Sequence, residues 1–400
     1  MTGAMYAAIA GLKTHMTKMS VIGNNIANVN TNGYKSQRTI FKDAMYTMYS
    51  SGSDGTSTTA GRNPSQIGYG SQVSSIDLNM STGSFAPGVS TDCMIYGDGF
   101  FMVGDKDTAN VIDPMNPSSV KSLNLTRVGD FSFKADGYLS DGSGGVVYGF
   151  LATGVDQNGK PIISDQLVPI RLPKMSAVPV MGADGTTPTG EYTYKVQYPS
   201  AGTKEQPTVL TDYVKYADGA DATTPDAPTV EVPFAQLDSV SIDAETGAIT
   251  GTTKDTDELI TIGYVAIGNV TNPNGLTHAG GFYYTAGSGA GDLQVSLLGG
   301  VADDLNIKHV NGSLYEKAKA DYAAALGDAA GDMTNMTQSD KMAIGSAGGT
   351  NLMTGGLEGS NVDLANEIAE MITTQRGYQA NTRIITVTDA MLEELVNMKR

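Results

Sequence analysis

The chain has 400 residues, 40% of them hydrophobic, with 49 Gly, no Trp and 7% aromatics, a composition that suits two to four turn-rich domains with cores of their own. Its net charge of −17 is uneven: +4 in residues 1–50, −2 in 360–400 and −19 between them. An acidic body lacks the basic footprint that nucleic acid requires, no run reaches the roughly 18 apolar residues of a membrane-spanning helix, and a single cysteine, Cys93, rules out an intrachain disulfide.

The first predicted element is a long amphipathic helix over residues 5–29. Met5, Leu12, Met19 and Ile26 fall seven apart, with Ile9 and Met16 four residues behind the first two, a heptad stripe. It lacks the basic-then-apolar layout of a signal peptide. It runs down in Asn24-Asn25-Ile26-Ala27-Asn28-Val29-Asn30, since asparagine side chains compete for helix backbone groups, and Asn32-Gly33 reads as a turn. Residues 34–50 read as a second short amphipathic piece with Phe41, Met45 and Met48 on one side, and the Ser/Thr/Gly-rich 50–65 as a flexible connector.

From about Val73 the pattern changes to short strands between glycines: 94–96, 100–103, 131–133 and 146–151. Asp136-Gly137 makes a hairpin turn before Tyr138-Leu139. Prolines near 169–190 mark a boundary, after which 192–198, 240–242, 248–250 and 259–267 read as strands, with a turn at Glu245-Thr246-Gly247. Ser313 and Glu316 fit a capping box opening a helix with Leu314, Ala318, Tyr322 and Leu326 on one face, ended by Gly327. Ser360 with Asp363 fits another, opening a last helix in which Leu364, Met371, Tyr378, Ile385 and Leu392 again fall seven apart. Ile368, Ile372, Leu395 and Met398 widen that stripe. Acids near its start and Lys399-Arg400 at its end follow the helix dipole. A lone helix is marginal in water, so both terminal helices are expected to order only when packed.

Chemistry is sparse. His15, His278 and His309 are far apart, with no His/Cys cluster at metal-ligand spacing. Neither a Gly-x-Ser-x-Gly elbow nor a phosphate-binding loop occurs. Gly287, Gly289 and Gly291 read as a plain turn, Asp156-Gln157-Asn158-Gly159 as a solvated loop, and Cys93 as a small buried apolar residue. The expectation is a non-enzyme with no catalytic, cofactor-binding or metal-binding residues and no cofactor.

Two long motifs carry a family resemblance. The run from Asn24 and Asn25 through Ala27, Asn28, Asn30 and Gly33 to Lys35, and the pair Ser360-Asn361-Val362-Asp363-Leu364 and Gln375-Arg376-Gly377-Tyr378-Gln379-Ala380-Asn381, resemble the N- and C-terminal signatures of the flagellar rod, hook and hook-associated axial proteins. Gly97-Asp98-Gly99-Phe100-Phe101, Arg127-Val128-Gly129-Asp130-Phe131 and Asp136-Gly137-Tyr138-Leu139 resemble the family's first β-domain, and Asn272-Pro273-Asn274-Gly275-Leu276 the return into it. Where the family often has Ala, this chain has Gly377.

The resemblance implies a mixed fold: long N- and C-terminal α-helices forming a coiled-coil core domain, with two mainly-β domains inserted between them. The expected division is 1–30 and 360–400 as helical core, 31–70 and 330–359 as connector, 71–165 and 258–300 as first β-domain, 166–257 as outer β-domain, and 301–329 as a helical insertion. The stripe residues, from Met5 to Ile26 and from Leu364 to Leu392, become assembly residues of a helical homopolymer. The length and outer domain favour the hook, a curved universal joint passing motor torque to the filament, over the drive-shaft distal rod. A self-assembling surface or adhesive protein is the reading from another class. The implied partners are further copies of the chain, the distal rod protein, the hook–filament junction proteins, the hook cap protein and the flagellar export apparatus. The implied location is the extracellular flagellum, reached without a cleaved signal peptide and without a membrane span.

Overall fold

In the computed structural model the described residues are 2–55, 60–106, 112, 117–155, 161–164, 167–181, 188–198, 214–216, 229–231, 234–254, 257–291, 293–297 and 350–398. The expected helix after Ser313, the loop at Asp156, His309 and the terminal Lys399-Arg400 lie outside them. The chain divides into two compact units, residues 1–83 with 360–400, and residues 84–359.

The first unit holds the two long helices, Thr2–Ala27 and Leu364–Met398, which pack against each other. The first ends within the asparagine run, after Ala27: Asn28 N–H still reaches Asn24 O at 3.2 Å, then Thr31 N–H bonds Asn28 O and Tyr34 N–H bonds Thr31 O. Gly33, at φ 68°, supplies the left-handed residue that this reversal needs. The cap of the last helix differs from the expected box. Asp363, not Ser360, is the N-cap, its Oδ1 accepting from Ala365 N at 3.0 Å and Asn366 N at 3.3 Å. The Ser360 hydroxyl accepts only from Val362 N at 3.4 Å.

Residues 34–50, expected as a short amphipathic piece, form two strands with no buried apolar side. Gln37–Asp43 is a strand paired antiparallel with Ser71–Leu78, and Tyr46–Ser50 pairs with Ser65–Gly68. The stretch between these last two carries the isolated bridge Ser53–Arg62. Phe41, Met45 and Met48 are all exposed. The ladder partners, tens of residues away, decide this conformation, which local periodicity does not register.

The second unit is built on one antiparallel sheet. Its strands run, in spatial order, Leu237–Ile242, Ala248–Thr253, Leu259–Val270, Val146–Val155, Phe100–Gly104, Asn124–Thr126, Tyr283–Ala286 and Leu276–Gly280. Leu259–Val270 also pairs with Leu293–Leu297. It is buried almost continuously from Ile260 to Ile267, as a strand covered on both faces should be. Gly149 and Gly263 let it approach Val146–Val155 closely: a Cβ on Gly263 would lie 2.7 Å from Phe150 O, and one on Gly149 would run into Tyr264 O. The core gathers Ile95, Phe101, Phe131, Leu139, Val147, Leu151, Ile262 and Val265, with Phe101 and Phe131 edge to face at 5.0 Å.

The predicted turns are where the sequence places them. Ser132–Phe133 pairs with Leu139–Ser140 across Gly137, at φ 77°. Leu237–Ile242 pairs with Ala248–Thr253 across Gly247, at φ 69°. Beyond the sheet, Lys174–Met181 pairs with Pro188–Gln197. The unit closes on itself where it begins and ends: Cys93–Tyr96 pairs with Asn351–Thr354, Phe85–Pro87 pairs with Gly356–Glu358, and Gly359 N–H donates to Ser84 O at 2.7 Å.

Candidate assembly site

The two terminal helices run antiparallel, because contact partners fall in number on one as they rise on the other. Gly11 faces Asn381 and His15 faces Gly377. Lys18 pairs with Glu370 at 2.9 Å and Asn25 bonds Glu367 at 2.9 Å. On the last helix Glu367, Met371, Thr374, Tyr378, Asn381, Ile385, Thr388 and Leu392 turn inward at alternating spacings of four and three, with Gly377 and Thr382 beside them.

Of the stripe residues expected to mediate assembly, Met5, Ile9, Leu12, Met19 and Ile26 are half-buried and Met16 is 51% exposed. Met371, Tyr378, Ile385 and Leu392 are half-buried, whereas Leu364 and Ile368 are exposed, as are Ile372, Leu395 and Met398. Besides Val21 and Ile22, the deepest positions are small or polar: Ala8, Gly11, Thr14 and Asn25 on the first helix, Thr374 and Thr388 on the last. Periodicity of large apolar residues passes over them. The available signal was a polar residue three places after each of the first four members of the last stripe, at 367, 374, 381 and 388. Thr hydroxyls fit such a seam because they bond their own helix: Thr14 Oγ1 donates to Gly11 O at 2.8 Å and Thr388 Oγ1 to Ile384 O at 2.7 Å.

The signature residues form a polar joint where the chain leaves the first helix and enters the last. Asn25, 1% exposed, uses both ends of its amide. Its Nδ2 donates to Gln37 O at 2.9 Å and to Glu367 Oε1 at 2.9 Å, while its Oδ1 accepts from Gln37 N and the Tyr34 hydroxyl, both at 3.0 Å. Asn24 Nδ2 donates to the Tyr34 hydroxyl, and Asn28 Nδ2 to Asn24 O and Oδ1. Asn361 does the same work from the C-terminal side: its Oδ1 accepts from Ser36 N at 2.7 Å, and its Nδ2 donates to Asn79 O at 2.8 Å and Ser81 O at 3.0 Å. Lys35 is buried with its Nζ on Ser81 O at 2.9 Å. Asn24, Ala27, Asn30, Gln375 and Arg376 stay exposed.

A cavity of about 330 Å³ lies beside this joint, lined by Lys18, Ile22, Gln37, Leu78, Glu367 and Glu370 among others. Burial raises the Glu367 carboxyl above its ordinary range, the Asn25 bond opposing this and Glu370 adding to it. His15 is lowered, first by burial and then by Lys18. These groups hold backbone segments together. Among the described residues no three His, Cys, Asp or Glu side chains come together as a metal cage, and no described helix is long and apolar enough to cross a membrane.

Inside the second unit, the segment Arg127 to Phe131 meets the Gly97–Phe101 segment. Arg127, wholly buried, donates from Nη1 to Ile95 O at 3.1 Å and from Nη2 to Gly97 O at 2.6 Å. Its Nη1 lies 3.6 Å from Glu358 Oε2, and its guanidinium sits over the Phe100 ring at 5.5 Å. Gly129 takes no Cβ because Cys93 O occupies the place. Cys93 is buried as expected, and burial pushes its thiol well above the ordinary value, which leaves it unreactive.

Two family models match the chain: the flagella basal body rod protein model over residues 5–35, and the flagellar basal body rod FlgEFG protein C-terminal model over residues 353–398. Along its whole length the chain is 28% identical to the flagellar basal-body rod protein FlgG of Bacillus subtilis, over 403 residues covering all of that protein. It is likewise 28% identical to the flagellar hook protein FlgE of Borreliella burgdorferi over 471 residues, and 26% identical to that of Treponema pallidum over 483, each covered in full. The matched ends coincide with the two helices and the joint that Asn25 and Asn361 hold together.

Proposed function

Because the chain belongs to the flagellar rod and hook family of axial structural proteins, we propose that it is the hook subunit, polymerising into a curved tube that acts as a universal joint between motor and filament. The observation that carries this reading is the β-structure beyond the main sheet: Lys174–Met181 paired with Pro188–Gln197, in the stretch that sequence assigns to an outer domain. A joint that bends while turning needs outer bodies whose mutual contacts slide. In this reading the terminal helices form a coiled-coil core lining the tube, residues 31–70 and 330–359 serve as connector, and the outer domain is drawn from residues 166–257, of which 237–253 also extend the main sheet. Head-to-tail contacts that do not close give an open helical polymer. The partners are further copies, the distal rod protein, the hook cap and hook–filament junction proteins, and the flagellar export apparatus.

The drive-shaft rod is the second reading, supported by the full-length similarity to a rod protein. Electron microscopy of the purified polymer separates the two: curved, flexible tubes are expected of a hook, and straight stiff ones overturn that assignment. Leu12→Asp or Ile385→Asp tests the polymer itself. Each puts a charge into the half-buried seam, and is expected to abolish tubes while leaving the β-sheet signal intact. Tubes formed by either variant would remove the helices from the assembly role.

A further inference from the structure

The apolar stripe of the last helix repeats every seven residues at Met371, Tyr378, Ile385 and Leu392, and the polar column at Glu367, Thr374, Asn381 and Thr388 repeats with it. Sliding the first helix by seven residues therefore places apolar on apolar and polar on polar again. Such a seam says which faces meet and leaves open where along the helix they meet. One contact, at Gly377, lacks that repeat, and a second, at Asn381 of the repeating column, stands beside it. A Cβ on Gly11 would lie 2.6 Å from Asn381 Nδ2, and a Cβ on Gly377 would lie 2.9 Å from both Cε1 and Nε2 of His15. The pairs stand four residues apart on each helix and are reciprocal: small on the first helix against large on the last, then large against small.

Gly377 is the single glycine between Leu364 and Met398, and its heptad equivalents are Glu370 and Ile384. A slip of one heptad sets the His15 ring against one of those side chains in place of an empty notch. Phe41 meets the ring edge-on at 6.1 Å. Its buried Nδ1 makes no hydrogen bond, so shape, not bonding at that nitrogen, is what His15 contributes.

We propose that His15 and Gly377, seconded by Gly11 and Asn381, are the register-determining residues of the helix pair, and that glycine at 377 is kept as the notch for the imidazole. The inference holds for the hook and the rod reading alike. In the full-length chain, Lys18→Cys with Glu370→Cys puts one thiol on each helix at a pair whose side-chain tips now meet at 2.9 Å, each Sγ lying one bond beyond its own Cβ. A short bismaleimide should bridge them within one chain, and a one-heptad slip carries them roughly 10 Å apart along the axis. Adding Gly377→Ala is expected to cut the intramolecular product several-fold, although alanine is the better helix former. Adding His15→Ala as well is expected to restore it, because the notch is then no longer needed. If Gly377→Ala crosslinks as well as its parent, or if His15→Ala gives no recovery in the Gly377→Ala chain, the proposal is wrong. Hydrogen exchange over both helices follows the same variants: protection lost with Gly377→Ala must return with His15→Ala, and failure to return overturns it equally.

Discussion

Replacing Asn25 by Ala removes four hydrogen bonds at once, from Gln37 N, Gln37 O, the Tyr34 hydroxyl and Glu367 Oε1. Three are neutral bonds worth about 1 kcal/mol each net, and the one to the carboxylate about 1.5–3 kcal/mol. Simple addition overstates the loss, since the partners share one side chain and water can reach some of them. A cost of about 3 kcal/mol is expected, felt where the first helix ends and the last begins. In native-state hydrogen exchange of the full chain this corresponds to amides near residues 20–27 and 364–371 exchanging on the order of 100-fold faster. Amides of the sheet core at 259–270 should be unchanged. Acceleration of less than about tenfold, roughly 1.4 kcal/mol, would refute the view that Asn25 ties the two ends. Asn25→Asp sharpens the test. It keeps the acceptor for Gln37 N and the Tyr34 hydroxyl but sets a carboxylate against Glu367, so it should be the worse variant at neutral pH. Acidification should relieve it, beginning above the ordinary carboxylate range, because Glu367 is already raised by burial.

Two further outcomes follow from buried charge. His15 has its folded-state value lowered by burial and by Lys18, so the unfolded helix binds the extra proton more readily; the stability it confers is complete above about 6.5 and is lost as pH falls toward the lower folded value. Helix protection should fall as pH drops below about 6.5 by more than it does in His15→Leu; a wild-type profile that matches His15→Leu contradicts this. Glu367, being raised, acts in the opposite sense as pH falls, and that contribution is common to both proteins and cancels in the difference. Arg127→Met leaves Glu358 buried beside the lost cation, where the pair is 0% and 1% exposed. Denaturant unfolding followed by tyrosine fluorescence should show a loss of about 3–5 kcal/mol, largely recovered by Arg127→Met with Glu358→Met.

The sequence reveals the two ends more fully than what joins them. Spacings of seven locate both helices, and Asp136-Gly137 and Glu245-Thr246-Gly247 give turns that the backbone adopts with glycine at positive φ. The face each helix buries was only half visible. Large side chains such as Leu364 and Ile368 mark the stripe yet stay exposed in the single chain, while Thr14, Thr374 and Thr388 are buried. Close helix approach selects small residues and self-bonding hydroxyls, which hydropathy does not score. The strands at Gln37–Asp43 and Tyr46–Ser50 escaped for another reason, since their partners lie at 71–78 and 65–68. The asparagines were legible as a signature, but that Asn25 and Asn361 each bridge two segments far apart in sequence is a fact of three dimensions.

The closure of the 84–359 unit at Ser84 and Gly359 changes the polymer statistics of the chain. Pairing the two terminal helices from an extended chain means closing a loop of roughly 340 residues. Once the β-unit has folded and brought its own entrance and exit within one hydrogen bond, the remaining flexible loop is only roughly 60 residues. On the logarithmic scaling of loop entropy that shortcut is worth about 1.5 kcal/mol. Any addition inside the unit leaves the shortcut intact, so the ends of such a chain need not weaken as its middle grows.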